Sequence, residues 1–233
     1  MSQAGQTDGV RRATPIALGL VTAGTMGLTA ALIRAGRRSG VTRAELDQAL
    51  PGDDLVRGAR VVMDRAVTLP APPERVWPWL VQLGKERAGW YLPGWLERAV
   101  PRGRRSLRFL DDDFQKLEPG DEVPDWGPGE PRFRAVIVDP PRALVYLTAR
   151  DRENGYRWPE SGPPYPDSVL VASWALVLSP AAAQDRVAGT RLHVRLRINQ
   201  VGKRAPWLVA RIGGLIDEAT IRPLFAGLAE RLR

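Results

Sequence analysis

Residues 190–199 read TRLHVRLRIN. Leu192, Val194, Leu196 and Ile198 fall on one side, and Arg191, His193, Arg195, Arg197 and Asn199 on the other, the period of two that marks a strand. A strand apolar on one side and polar on the other fits a sheet with one covered face, which argues for antiparallel pairing. On this reading His193 points outward among arginines, an exposed surface residue and not a catalytic base.

The same pattern extends on either side. Residues 169–178 (VLVASWALVL) place Leu170, Ala172, Trp174, Leu176 and Leu178 together. Residues 133–139 and 143–149 read as two strands joined at Pro140-Pro141, and 60–69 (RVVMDRAVTL) as a strand with Val61, Met63, Val67 and Leu69 on its apolar side. A short helix follows, with Val76, Trp77, Leu80 and Val81 at helical spacing and Gly84 ending it; a second fits 91–100. Residues 101–132 are charged and rich in Pro and Gly, hence mostly loop. The polar stretch 150–168 has the length of a rim or lid loop. Residues 206–232 predict a long helix with Pro206 in its first turn and a kink or split at Pro223. The fold class is therefore α+β: a curved antiparallel sheet wrapped around a long C-terminal helix, with two short helices after the first strand.

Composition narrows the chemistry. The 233 residues contain no cysteine and one histidine, which excludes disulfides, thiolate metal sites, a cysteine nucleophile and a multi-histidine zinc site. The formal charge of +8 invites a nucleic-acid partner, but only three of the 34 basic residues are lysine. Five arginines over 98–108 are followed by a strongly acidic block over 111–130, a poor surface for tracking phosphates. No nucleic acid is expected. Asp111-Asp112-Asp113 reads as a solvated acidic turn, since calcium loops space their ligands. Neither a metal nor a cofactor is expected; GxSxG, GxGxxG, Walker and HExxH sequences are all missing.

The chain divides into four parts. Residues 1–12 form a polar tail. Residues 13–33 (ATPIALGLVTAGTMGLTAALI) carry no charge and predict an extra N-terminal apolar helix of bilayer length. Gly19, Ala23, Gly27 and Ala31 give it a small-residue stripe. A single membrane span competes here with a cleaved signal peptide, a helix packed on the body and a poorly ordered N-terminus. Arg34, Arg37, Arg38 and Arg43 outnumber Arg11 and Arg12, which places the body on the cytoplasmic side of such a span. Residues 34–58 read as a linker with a short helix, where Thr42 and Glu45 are spaced as a capping box. Residues 59–233 form the body of the chain, a single domain.

The segment AVTLPAPPERVWPWLVQLGKERAGWY (66–91) resembles the opening of bacterial members of the SRPBCC superfamily, the START-like and polyketide cyclase/dehydrase-like proteins. LPGDDLV (50–56), EPGDEVP (118–124) and SWALVLSP with TRLHVRLR (173–197) are similar to the same group. The resemblance implies a helix-grip fold with a deep apolar cavity between sheet and C-terminal helix. It implies that Trp90, Tyr91 and Trp95 close the mouth, that Trp174 projects from the sheet, and that Ile216, Thr220 and Phe225 line the helix side. Tyr91 and Thr220 are the expected polar anchors. A space of less than about 200 Å³ would end the carrier and enzyme readings alike. The expected function is binding of a hydrophobic small molecule, lipid or polyketide-like, as carrier or sensor. The alternatives are a cyclase- or dehydratase-like enzyme, for which Tyr91, Glu97 and Arg87 are the candidate groups, and a ligand-free protein-interaction domain.

The N-terminal reading predicts that the full-length chain partitions into membranes and resists carbonate extraction, whereas a chain beginning near residue 40 is soluble. Full-length, uncleaved protein in the soluble fraction would end that reading.

Overall fold

The computed structural model describes residues 38–126, 129–160, 162–166, 168–184, 187–199 and 206–233, by backbone alone at 182–184, 187–188 and 206–217. Seven strands form one sheet: β1 (Arg38–Ser39), β2 (Val61–Leu69), β3 (Glu122–Pro124), β4 (Arg132–Asp139), β5 (Ala143–Asp151), β6 (Val169–Gln184) and β7 (Val187–Ile198), in the order β1-β2-β7-β6-β5-β4-β3. Helices α1 (Arg43–Asp47), α2 (Pro73–Gln82) and α3 (Gly94–Glu97) precede the long α4 (Pro206–Arg231). The expected all-antiparallel sheet is corrected to a mixed one, because β1 runs parallel to β2 at its edge. The other pairings are antiparallel.

The inward residues read from the sequence do meet. Leu176 pairs with Val194 and Leu178 with Leu192 in the β6–β7 hairpin, and all four are buried. Against this face pack Val76 and Leu80 of α2 and Ile221, Leu224 and Leu228 of α4. Each such side chain contributes about 1.5–3 kcal/mol by leaving water. That burial carries α4 through Pro223 without the expected split: the helix is continuous to Arg231, the lost backbone hydrogen bond being offset by apolar contacts on both sides of it. Gly227 sets how closely α4 docks. A Cβ there would stand 2.6 Å from the Leu92 carbonyl carbon. One inward position is charged: Arg65, 1% exposed, has its Nε 2.7 Å from Glu218 Oε2 of α4, which Ser39 Oγ also reaches at 2.7 Å.

The outer face of β2 and β7 overturns an expectation. His193 is 5% and Arg195 4% exposed, not solvated. Asp64 Oδ1 lies 2.9 Å from His193 Nε2 and accepts from Arg195 Nε at 2.7 Å. Residues 38–57, read as a linker, form the cover. Arg195 donates to Asp53 Oδ2 at 2.7 Å and to the carbonyls of Glu45, Leu46 and Gln48. Arg191 pairs with Glu45 at 2.6 Å. Gly52, at φ +85°, rests on Val145, whose Cγ1 would lie 2.6 Å from any Cβ. The capping box is present: Thr42 Oγ1 accepts from the Glu45 amide, and the Glu45 carboxylate accepts from that of Thr42. Beside this ionic layer Val56 joins Ala149, Val169 and Val171 in a small apolar cluster. The strand parity was therefore right, but the polar side faces an ion-paired layer, not water.

Among the described residues no helix is long and apolar enough to cross a membrane. The expected apolar helix over 13–33 lies outside those residues.

Burial pushes the Asp64 carboxyl up, but hydrogen bonds from His193 and Arg195 outweigh it and hold it below its ordinary value. The Arg191 hydrogen bond likewise lowers Glu45 to about 2. Carboxyls depressed in the folded state stabilise it above their unfolded pKa, and that stability is lost as pH falls through the folded one. The melting temperature should hold from neutral pH to about 4.5 and fall from there towards pH 2. At pH 7, Asp64→Ala should cost about 3 kcal/mol in denaturant unfolding, the scale of a broken buried ion pair. A loss within 0.5 kcal/mol, the size usual for exposed sites, would show that the layer is solvated.

Candidate functional site

A cleft of about 150 Å³ opens between the inner face of the sheet and α4. Trp90, Trp126, Phe133, Tyr146 and Trp174 supply its aromatic walls; Leu83, Val123, Leu196, Thr220 and Ile221 complete much of the remainder. The rings are mutually ordered. Trp90 stacks on Trp174 with centroids 6.0 Å apart and planes at 18°, and Trp174 on Tyr146 at 6.1 Å and 25°. Trp126 meets Trp90 edge-on at 5.8 Å, and Phe133 meets Tyr146 at 6.1 Å and 62°. Such pairs contribute about 0.5–1.5 kcal/mol each beyond the area they bury.

Local structure explains the placement. Alternation in β5 and β6 sets Tyr146 directly opposite Trp174. The Trp90 indole nitrogen donates to the Thr220 carbonyl at 3.2 Å, which fixes that ring against α4. At the rim the Asp125 carboxylate accepts from Arg150 at 2.6 Å, and the same guanidinium lies over the Phe133 ring. Among the described residues Asp125 is the one carboxylate bordering the cleft, and it is committed to an ion pair.

Three of the expected site residues meet here: Trp90, Trp174 and Thr220. The other four fall elsewhere. Tyr91 is fully buried and its hydroxyl donates to the Trp79 carbonyl at 2.8 Å, so it is no free anchor. Burial raises its pKa. Trp95 is 70% exposed and closes nothing. Phe225 packs in the core beneath. Ile216 belongs to the part of α4 whose side chains are not described. Trp126, Phe133 and Tyr146 were missed. Tyr146 had a signal, since it shares strand parity with buried Leu144 in the expected strand 143–149.

The candidate enzymatic trio does not assemble at the cleft. Glu97 is buried under Ser106, Arg108 and Arg231, accepting at 2.7, 2.7 and 3.4 Å. Arg87 donates to the carbonyls of Val81 and Phe114. Among the described residues no group of acidic or histidine side chains could hold a metal.

No family model matches the chain, and no curated protein matches it. Among solved structures, a hypothetical protein from Helicobacter pylori is similar at 10% identity over 79% of this chain and 95% of its own, TM-score 0.45. A conserved protein from Geobacillus kaustophilus is similar at 17% identity over 74% and 95%, TM-score 0.41, and the protein Ara h 8.0201 at 14% over 73% and 96%, TM-score 0.39. Likeness at this level concerns the course of the chain and not its chemistry.

The stacked indoles make a spectroscopic prediction. Circular dichroism near 225 nm should carry an exciton couplet from Trp90 and Trp174 that vanishes in Trp90→Leu and in Trp174→Leu alike. Trp174→Ala should also cost about 3 kcal/mol, the lower end for loss of a large ring from a core. A spectrum unchanged in both leucine variants would mean that the rings are not stacked.

Proposed function

We propose that this protein binds a small planar apolar molecule, about one aromatic ring in size, in the cleft between sheet and C-terminal helix, as a carrier or sensor. The chain order supports the helix-grip resemblance: strand, two short helices, antiparallel strands, then a long helix against the sheet. The observation that carries the proposal is the pairing of volume with wall chemistry. The cleft holds about 150 Å³, under the roughly 200 Å³ below which the expected lipid or polyketide carrier and the enzyme both fall, and well below the several hundred common for drug-sized ligands. By that measure a lipid, or a polyketide of several rings, has no room as carried cargo or as substrate. An apolar cavity of about 150 Å³ does accept benzene in another protein, and here the walls are rich in aromatic rings.

The test is titration with benzene and toluene, read by tryptophan fluorescence, with a long-chain fatty acid as the size control. Saturable quenching by the one-ring probes, reduced at least tenfold in affinity in Trp174→Ala, is expected, with no response to the fatty acid. Tighter binding of the fatty acid would restore the lipid reading. No binding of any probe would leave the ligand-free protein-interaction domain.

A further inference from the structure

The cleft wall contains a polar group that its own protein leaves unsatisfied. Tyr146 is 3% exposed, and its hydroxyl is buried with no hydrogen-bond partner among the described residues. Its neighbourhood otherwise obeys the rule that buried phenols are paired, as the Tyr91 hydroxyl does with the Trp79 carbonyl. A buried hydroxyl without a partner costs about 1–3 kcal/mol, and so large a cost in an ordered core calls for a reason. Nearby chemistry gives the direction of the missing bond. Arg87 lies close enough for its charge to act on the phenol, and burial raises the Tyr146 pKa further than Arg87 lowers it. The hydroxyl therefore keeps its proton at physiological pH and can donate. The Arg87 Nε is likewise buried and unpartnered. A donor beside a cation suits an acceptor oxygen.

We infer that Tyr146 is the polar anchor of the cleft and that the ligand is a neutral one-ring aryl carbonyl, its ring among Trp90, Trp174 and Phe133 and its oxygen accepting from the Tyr146 hydroxyl. This inference rests on the one-ring reading above and adds to it the class of ligand. A neutral ligand fits because the walls are mostly aromatic and apolar and Arg150 at the rim is already paired with Asp125. Tyr146 lines the cleft beside Trp174; its hydroxyl is shielded from solvent, and on this inference the phenol turns towards the cleft when the carbonyl oxygen arrives.

The experiment compares acetophenone with α-methylstyrene, which has the same shape and lacks the acceptor, by isothermal titration on the full chain. Wild type should bind acetophenone about tenfold more tightly, the weight of one buried hydrogen bond. Tyr146→Phe should bind both equally, keep the wild-type affinity for α-methylstyrene, and melt no lower than wild type. The infrared carbonyl stretch of bound acetophenone should shift to lower frequency in wild type and not in Tyr146→Phe. Equal binding of both probes by wild type would overturn the anchor and leave the one-ring cleft standing, as would a tenfold preference surviving in Tyr146→Phe. A lower melting temperature for Tyr146→Phe would show the hydroxyl already bonded, to an ordered water, and overturn it as well. Binding of neither probe would remove both the anchor and the cleft reading beneath it.

Discussion

Arg231 ends the C-terminal helix in the core, its side chain 1% exposed, and a guanidinium cannot remain there unpaired. Its Nε donates to the Leu107 carbonyl at 2.8 Å, one terminal nitrogen to the carbonyls of Leu92 and Gly227, and the other to Ser106 Oγ and to Glu97. Its plane lies 4.5 Å from the Tyr91 ring centroid. Sliding α4 by one turn, about 5.4 Å, would break every one of these bonds and drive other residues into the close approach that Gly227 allows. The register of α4 is therefore fixed from its last turn, and with it the position of Thr220 and Ile221 at the cleft. Trp90 is held from the same side, being one residue before Tyr91 and bonded to the Thr220 carbonyl.

Much of this was legible in the sequence. The sequence pattern located β2, β5, β6 and β7, and alternation chose the inner faces of β2, β6 and β7 correctly, because burial of apolar side chains leaves a local signature. What covers the other face leaves none. Arg191, His193, Arg195 and Arg197 give the same alternation whether they meet water or carboxylates. Their partners Glu45 and Asp53 lie more than 140 positions earlier in the chain. Local capping at Thr42 could be read; docking of the capped helix could not. Arg65 was passed over for a related reason. A charge at an inward strand position contradicts the pattern unless Glu218 is known to wait on the opposing helix.

The site was legible in part. Trp174 could be placed from strand parity, and Trp90 only from the resemblance carried by segment 66–91. Trp95 could not, since α3 has four residues and one turn does not define an apolar stripe. Tyr91 was selected for the same hydroxyl that disqualifies it, because whether a buried phenol is free depends on a carbonyl twelve residues away. Tyr146 carried the parity of an inward residue and was overlooked among the aliphatic residues of its strand.

The two faces of the sheet divide the molecule's work. On the outer side charges are matched within a covered layer, a source of stability that depends on pH and makes no contact with the cleft. On the inner side tryptophans do two things that oppose each other. Large rings at Trp90 and Trp174 build a wall, and the same rings fill the space the wall would enclose. With them stacked on each other and on Tyr146, the room that remains is set by ring thickness and not by the curvature of the sheet. A larger guest would have to part the Trp90–Trp174 pair, losing about 0.5–1.5 kcal/mol of aromatic contact and the Trp90 bond to α4 together. Selection for small planar guests is thus a consequence of how the core is packed.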